Sequence, residues 1–346
     1  DIQLRMPDKN VSINNGKSLL ELKGQSVYLK KTSYHINDQN ITMTGRLSNP
    51  AHPYGWLYFR SPQLNINKLI SEAGTHQQQT LTQSLNKKLS NKHTPLPSWM
   101  QDLKLRLRAE ISNAVYNNQP LKNVEYSGNY KNGVLENQQL KADIENGHIK
   151  LLGTTDLRNT NAIDFSIETE IDQVNFQSLE KLTDTKLNIH GPLTVSAKLE
   201  GTTGRSQDFL QSLQGHFEMQ SGPGRILQVT PIIKPLFAVL SVINLKGLLS
   251  GKFEENYEKK GIHYTSVHVA AALSEGDVTI KNADLNTPAI IIHGNGTLNM
   301  LEQQLDMQAE LTIFGTVDSI VGLVPLIGKP VQKLTNTNLD IQGPVD

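Results

Sequence analysis

A period of two runs through most of this chain. In LKLRLRAEI (103–111), Leu103, Leu105, Leu107, Ala109 and Ile111 fall on one side, and Lys104, Arg106, Arg108 and Glu110 on the other. IDFSIETEI (163–171) splits the same way, with Ile163, Phe165, Ile167 and Ile171 against Asp164, Ser166, Glu168 and Glu170. LNIHGPLTVSAKLEG (187–201) sets Leu187, Ile189, Leu193, Val195, Ala197 and Leu199 on one face, and LDMQAELTI (305–313) does so with Leu305, Met307, Ala309, Leu311 and Ile313. Side chains alternate across a strand, so this pattern predicts antiparallel strands with one dry and one wet face, and an all-β chain with a few short helices.

Weaker runs of the same kind cover 11–13, 19–29, 34–47, 54–64, 121–130, 134–144, 148–157, 215–221, 262–273, 277–285 and 289–299. Val267, Val269, Ile290 and Ile292 take the dry positions in two of them. Turn signals separate the runs: KNG (131–133), ENG (145–147), SEGD (274–277) and HGNG (293–296), the last read as a tight hairpin.

Helical periodicity is confined to 66–98, 230–250 and 318–334. The first is polar, with a short helix after LNINKLI and a linker. The second stands out because the chain is polar on average, with a mean hydropathy of −0.38. Thr230 and Pro231 form an N-cap and N1 pair. Pro231 and Pro235 limit the helix to roughly 235–250, about 24 Å at 1.5 Å per residue, short of a ~30 Å hydrocarbon core. It is expected to be buried or interfacial, presenting Ile232, Ile233, Leu236, Phe237, Leu240, Ile243 and Leu248 as a cap or membrane-facing surface. The expected organisation is N-terminal strands over 1–70, a polar helical or linker insertion over 71–98, central strands over 99–229, the apolar helix over 230–252, and C-terminal strands over 253–346 with a closing helix near 318–334.

A dozen or more strands with apolar faces and only two apolar helices pose a packing problem. Either sheets face one another as a sandwich, or a sheet curls around something that is not protein. Formal net charge is zero and pI is near 7.3, which argues against a nucleic-acid partner. Cysteine is absent, as suits an oxidising compartment such as a bacterial periplasm, with chance as the plainer alternative. The chain opens on DIQLRMPDKNVSI without a signal segment and closes on LDIQGPVD, and reads as a fragment whose anchor lies elsewhere. No nucleophile elbow, P-loop or HExxH motif occurs. His263 and His268 fall on opposite faces of a regular strand and cannot share one ion. SGPGR (221–225) reads as a loop leading to the helix rather than an anion nest. No catalytic residue, metal or cofactor is expected.

The order of these elements resembles the AsmA-like family of Gram-negative envelope proteins. The resemblance rests on LNIHGPLTVSAKLEGTTGRSQDFLQSLQGHFEMQSGPGRI (187–226), on the run 247–311, on LVPLIGKPVQKLTNTNLDIQGPVD (323–346), and upstream on LNINKLI and 107–157. It implies a long curled antiparallel sheet, a β-taco or repeating β-groove with an apolar concave face. It also implies a periplasmic protein tethered to the inner membrane by an N-terminal helix, moving phospholipids toward the outer membrane. Leu105, Leu107, Ile163, Phe165, Ile167, Leu187, Ile189, Val195, Leu199, Val267, Val269, Ile290, Ile292, Met307, Leu311 and Ile313 would line the groove. Expected partners are phospholipid acyl chains, the membrane surface and other envelope proteins. The alternative is an envelope scaffold with a closed sandwich that binds proteins by edge-strand pairing.

Overall fold

The computed structural model describes residues 2–6, 11–36, 39–68, 96–159, 161–203, 206–227, 262–288, 290–313 and 335–344. The apolar helix over 230–252, the closing helix near 318–334 and nearly all of the insertion over 71–98 lie outside these residues. The chain divides into two units. The first comprises 1–174, 181–185 and 200–209, and the second comprises 175–180, 186–199 and 210–346.

The first unit is a meander of ten strands: β1 (Ile2–Met6), β2 (Val11–Lys23), β3 (Ser26–Ile36), β4 (Gln39–Ser48), β5 (Tyr54–Asn65), β6 (Lys104–Tyr116), β7 (Gln119–Lys131), β8 (Val134–Ile144), β9 (Gly147–Asp156) and β10 (Asp164–Asn175). Each pairs antiparallel with the next, except that β5 and β6 run parallel, with Tyr54 opposite Lys104 and Asn65 opposite Val115. A two-residue hairpin cannot join parallel strands. Here residues 66–103 return the chain to its starting end, through a one-turn helix α1 (Ser98–Gln101) just before β6.

Tight turns follow the sequence signals. Asn132 and Gly133 both have positive φ, +52° and +87°, as a type I′ hairpin requires. The runs 19–29 and 34–47, each expected as one strand, are instead divided among β2, β3 and β4, because the chain reverses between Lys23 and Ser26 and again between Ile36 and Gln39.

After α2 (Phe176–Thr183), the chain continues through β11 (Ile189–His190), β12 (Pro192–Thr202), α3 (Ser206–Ser212), β13 (Gln214–Ser221), β14 (Gly224–Ile226), β15 (Ile262–Tyr264), β16 (Ser266–Ser274), β17 (Asp277–Asn286), β18 (Ile290–Asn299), β19 (Gln304–Ile313) and β20 (Thr335–Pro344), all in the second unit except residues 181–185 and 200–209. Strands β13, β16, β17, β18, β19 and β20 pair antiparallel in that order. Strands β11, β14 and β15 make a separate small sheet.

Several sequence expectations need correction here. His263 lies in β15 of the small sheet and His268 in β16, so the run 262–273 is two strands rather than one. SGPGR leads into β14, a strand, not a helix. HGNG is not a hairpin but the middle of β18. A Cβ on Gly294 would sit 3.2 Å from Met307 Cε, so the two glycines make room for the Met307 side chain. The reversal comes later, where the Asn299 side-chain oxygen accepts from the backbone N–H of Leu301 and Glu302 at 3.0 and 2.7 Å.

Candidate functional site

Strand register turns alternation into faces. In the first unit, the face bearing Leu105 and Leu107 carries two long cross-strand rows. One runs Leu22, Val27, Leu47, Gly55, Leu105, Tyr130, Leu135, Thr155, Phe165 across nine strands. A second, beyond the row of Leu107, runs Met43, Phe59, Ala109, Tyr126, Leu140, Leu151, Thr169 across seven. Most of these side chains are only half-buried, and Ile167 is exposed at 37%. Half-buried apolar groups keep part of their transfer free energy unrealised, about 25 cal/mol for every Å² still wet.

Toward the other end of the strands the same face is sealed. Ile111, Ala114, Leu121, Val124, Ala142, Ile144 and Val174 are all buried. Simple alternation does not lead there. On β6 the buried positions step from Ile111 to Ala114, and on β7 from Val124 to Leu121. Asn123 takes the left-handed conformation, φ +49°, and the β7–β8 register slips beside it. Asn137, φ +50°, does the same on β8, so that Leu135 and Leu140 share a face although they are five positions apart. Asparagine tolerates this conformation better than most residues.

The face is not wholly apolar, a feature that alternation did not disclose. Tyr126 Oη donates to Gln138 Oε1 at 3.4 Å, and Gln138 Nε2 donates to Thr155 Oγ1 at 2.9 Å. Burial pushes the Tyr126 hydroxyl above the ordinary tyrosine range. Partial cover comes from Phe209, whose ring stacks on Phe165 at 6.2 Å between centroids. At the β6–β7 end, Leu103 and Tyr130 are buried, and Tyr130 Oη donates to Met100 O at 2.9 Å.

The opposite face is polar. Arg60 and Arg108 lie 3.2 and 2.9 Å from the Glu110 carboxylate, and their guanidinium groups lie 4.6 and 5.5 Å from the centroid of the Tyr58 ring. The side-chain hydrogen bond from Tyr58, with help from both arginines, holds the Glu110 carboxyl below its usual value. A polar cleft of about 410 Å³ borders Arg106, Arg108, Glu125, Ser127, Asn129 and Gln139. Among the described residues no group of three or more His, Asp or Glu is placed to hold a metal ion. No helix among them is long and apolar enough to cross a membrane.

The second unit packs differently. Val269, Ile290, Ile292, Met307 and Leu311 are 1–5% exposed and belong to one cluster of buried side chains or its immediate strand neighbours. The register explains this. Phe217, Ala271, Ile280, Gly296, Met307 and Ile341 form one row, and Val267, Leu285, Ile292 and Leu311 another. A buried polar node closes the small-sheet side. Tyr264 Oη donates to His190 O at 2.9 Å and shares a 2.8 Å hydrogen bond with Ser221 Oγ. Burial raises the Tyr264 hydroxyl's pKa, partly offset by that Ser221 bond.

The remaining candidates fall as follows. Ile163, Leu187, Ile189, Val195 and Leu199 are half-buried, and Val267 is half-buried against the second unit's cluster. Leu187 N donates to Glu180 Oε1 at 2.8 Å in the segment ahead of β11. Ile313 ends β19 opposite Ile290. Ile232, Ile233, Leu236, Phe237, Leu240, Ile243 and Leu248 lie outside the described residues. Thus Leu105, Leu107, Phe165 and Ile167 share the first unit's open face, whereas Val269, Ile290, Ile292, Met307 and Leu311 sit in the second unit's packed one.

The model for the AsmA family matches residues 6–300. The protein named Protein AsmA from Escherichia coli (strain K12) is similar to this chain, 21% identical over 294 residues that cover 82% of this chain and 46% of that protein. The chain therefore spans about half the length of the curated relative it matches. No solved structure matches.

Proposed function

Because the chain belongs to the AsmA family, we propose that the half-open inner face of the first unit takes phospholipid acyl chains and carries them between inner and outer membranes by passive hydrophobic shielding, without catalysis. The periplasm, with a tether to the inner membrane, is the setting this reading requires. The observation that carries it is the pair of rows through Leu105 and Ala109, apolar across seven to nine strands and left half-wet by the unit's own side chains. Each CH₂ moved from water to such a surface contributes about 0.8 kcal/mol, so an acyl chain lying along it is strongly favoured over water. Headgroups would remain in solvent, which makes selectivity among them weak. Tyr126, Gln138 and Thr155 already satisfy one another in part, so they offer a polar spot beside the chain path at little cost.

The test is extraction of the purified full chain for lipid mass spectrometry, beside Leu107→Asp and Ile167→Asp. Co-purifying phospholipid in the parent protein, lost by at least tenfold in both variants with β circular dichroism unchanged, supports the reading. A clean parent protein overturns it. A clean parent that captures a stoichiometric envelope protein favours the scaffold with edge-strand pairing instead.

A further inference from the structure

One corner of the first unit departs from the rest. At the strand ends beside the Gly24 turn, Leu20, Leu22, Val27 and Leu47 are 59, 77, 39 and 43% exposed. They are not scattered. Leu22, Val27 and Leu47 are direct cross-strand neighbours, and Leu20 lies beside them on the same face of β2. Elsewhere the cap formed by Leu103, Tyr130 and Met100 covers this end of the sheet, but that cap sits over β6 and β7, not β2 to β4.

The other face of the same corner carries aromatic rings interleaved with cations. Tyr28, Arg46, Trp56 and Arg106 form one row across β3 to β6, and Tyr54, Lys104 and Lys131 form the next. Trp56 and Tyr54 are about half exposed, and Trp99 in α1 is exposed as well. The Arg46 guanidinium lies 5.3 Å from the centroid of the Tyr28 ring and donates to Ser48 Oγ and Ser26 Oγ, not to a carboxylate. Lys104, Arg106 and Lys131 form no ion pair with any described residue. Of the carboxylates nearby, Glu21 pairs with Lys23 and Lys30 and Asp156 with Arg158, whereas Asp102 lies 4.0 Å from His52 and Glu136 faces Asn129 in the row of Arg106, leaving cations in excess over free carboxylates.

We infer that this corner docks on the surface of an anionic phospholipid bilayer, with the Leu22 hairpin tip entering the headgroup boundary and the Trp56 and Arg106 rows lying against the headgroups. Bare aliphatic side chains at a tip, with amphipathic rings and long basic side chains behind them, match the layered polarity of a bilayer edge. Uncommitted cations select a negative surface. A water-facing protein partner would need complementary carboxylates and apolar groups in alternating rows, which a lipid surface supplies without register. The inference goes beyond the acyl-chain reading: Leu22, Val27 and Leu47 are the end of the Leu105 row, but docking by this edge requires no lipid carried along the rest of it.

Of the chain's two tryptophans, Trp56 lies at this corner and Trp99 lies in α1 just before β6, so a Trp99→Phe protein leaves Trp56 fluorescence as the direct reporter of docking. The full chain is titrated with vesicles of phosphatidylcholine alone and of phosphatidylcholine with phosphatidylglycerol, at low and high salt, including brominated acyl chains. Binding to the anionic vesicles with a blue shift and bromine quenching is expected, falling at least tenfold on neutral vesicles or in high salt. Leu22→Asp, at a position already exposed, should cut binding about tenfold. Arg46→Gln combined with Arg106→Gln should cut it several-fold on anionic vesicles only. Lys122→Gln, at the opposite ends of the strands, should leave it unchanged. Three outcomes overturn the inference: no shift or quenching, equal binding to neutral vesicles, or a concentration-dependent dimer that buries Trp56 without lipid. Lipid mass spectrometry on the Arg46→Gln, Arg106→Gln protein keeps the two readings apart, because both side chains lie on the face opposite the Leu105 row, so retained internal lipid with weakened vesicle binding separates carriage from docking.

Discussion

The two units are built from the same kind of hairpin meander, yet one leaves its apolar face half-wet and the other seals it. The first unit fills its central rows with Gly55, Ala109, Thr155, Gly128 and Gly153 between its leucines. The second puts Ile280, Leu285, Ile292, Met307 and Leu311 side by side. Even its glycines serve closure, since Gly294 and Gly296 underlie the Met307 side chain. Alternation fixes which side of a strand is dry. Side-chain volume within the rows decides whether that side covers itself.

Truncation is the strongest way to break this comparison. Met307→Ala, at a fully buried position, should cost about 3 kcal/mol of unfolding free energy in urea, whereas Leu107→Ala, half-buried, should cost about 1 kcal/mol or less. Equal losses at the two sites would show that the first unit's face is packed after all. The two buried hydroxyls sharpen the contrast at smaller scale. Tyr264→Phe removes hydrogen bonds to His190 and Ser221 and should cost about 1–2 kcal/mol. Tyr126→Phe removes one long hydrogen bond at 3.4 Å and should stay within about 0.5 kcal/mol. A thermal melt of each variant checks the order.

A pH titration adds a smaller effect, specific to the second unit. Burial raises the Asp284 carboxyl, but hydrogen bonds from His293 at 2.6 Å and from Asn282 and His268 outweigh it, leaving the carboxyl below the ordinary aspartate range. A depressed folded value means the carboxylate's contribution is complete above the unfolded value and drains away as pH falls through the folded one. Asp284→Asn should therefore lower stability by about 1 kcal/mol near neutral pH, with the difference from the parent shrinking below about pH 4. A difference that stays constant from pH 7 to pH 3 would remove the charge from the explanation.

Much of the architecture was legible in single residues. The dry sides of 103–111 and 305–311 follow from strict alternation, and the KNG and SEGD turns from residues that accept positive φ. What stayed hidden depends on one-residue events. Asn123 and Asn137 each flip the phase of a strand, so Leu121 and Leu135 change sides without any change in local composition. HGNG carries a hairpin's residues for a different reason, close approach of a methionine from the next strand. The openness of the candidate site was beyond reach as well, because exposure depends on neighbours that only register brings together. Both tryptophans looked unremarkable until the β5–β6 pairing set Trp56 against Arg106.

That parallel ladder has a kinetic consequence. The pairings from β1 to β5 and from β6 to β10 join strands linked by short turns or loops, but Tyr54 meets Lys104 across fifty positions. Non-local pairing forms late, after loop entropy has been overcome. The ten strands thus behave as two five-strand hairpin stacks zipped along a single line. If the chain is severed between residues 70 and 95, the strength of that zipper becomes a measurable dissociation constant between two fragments.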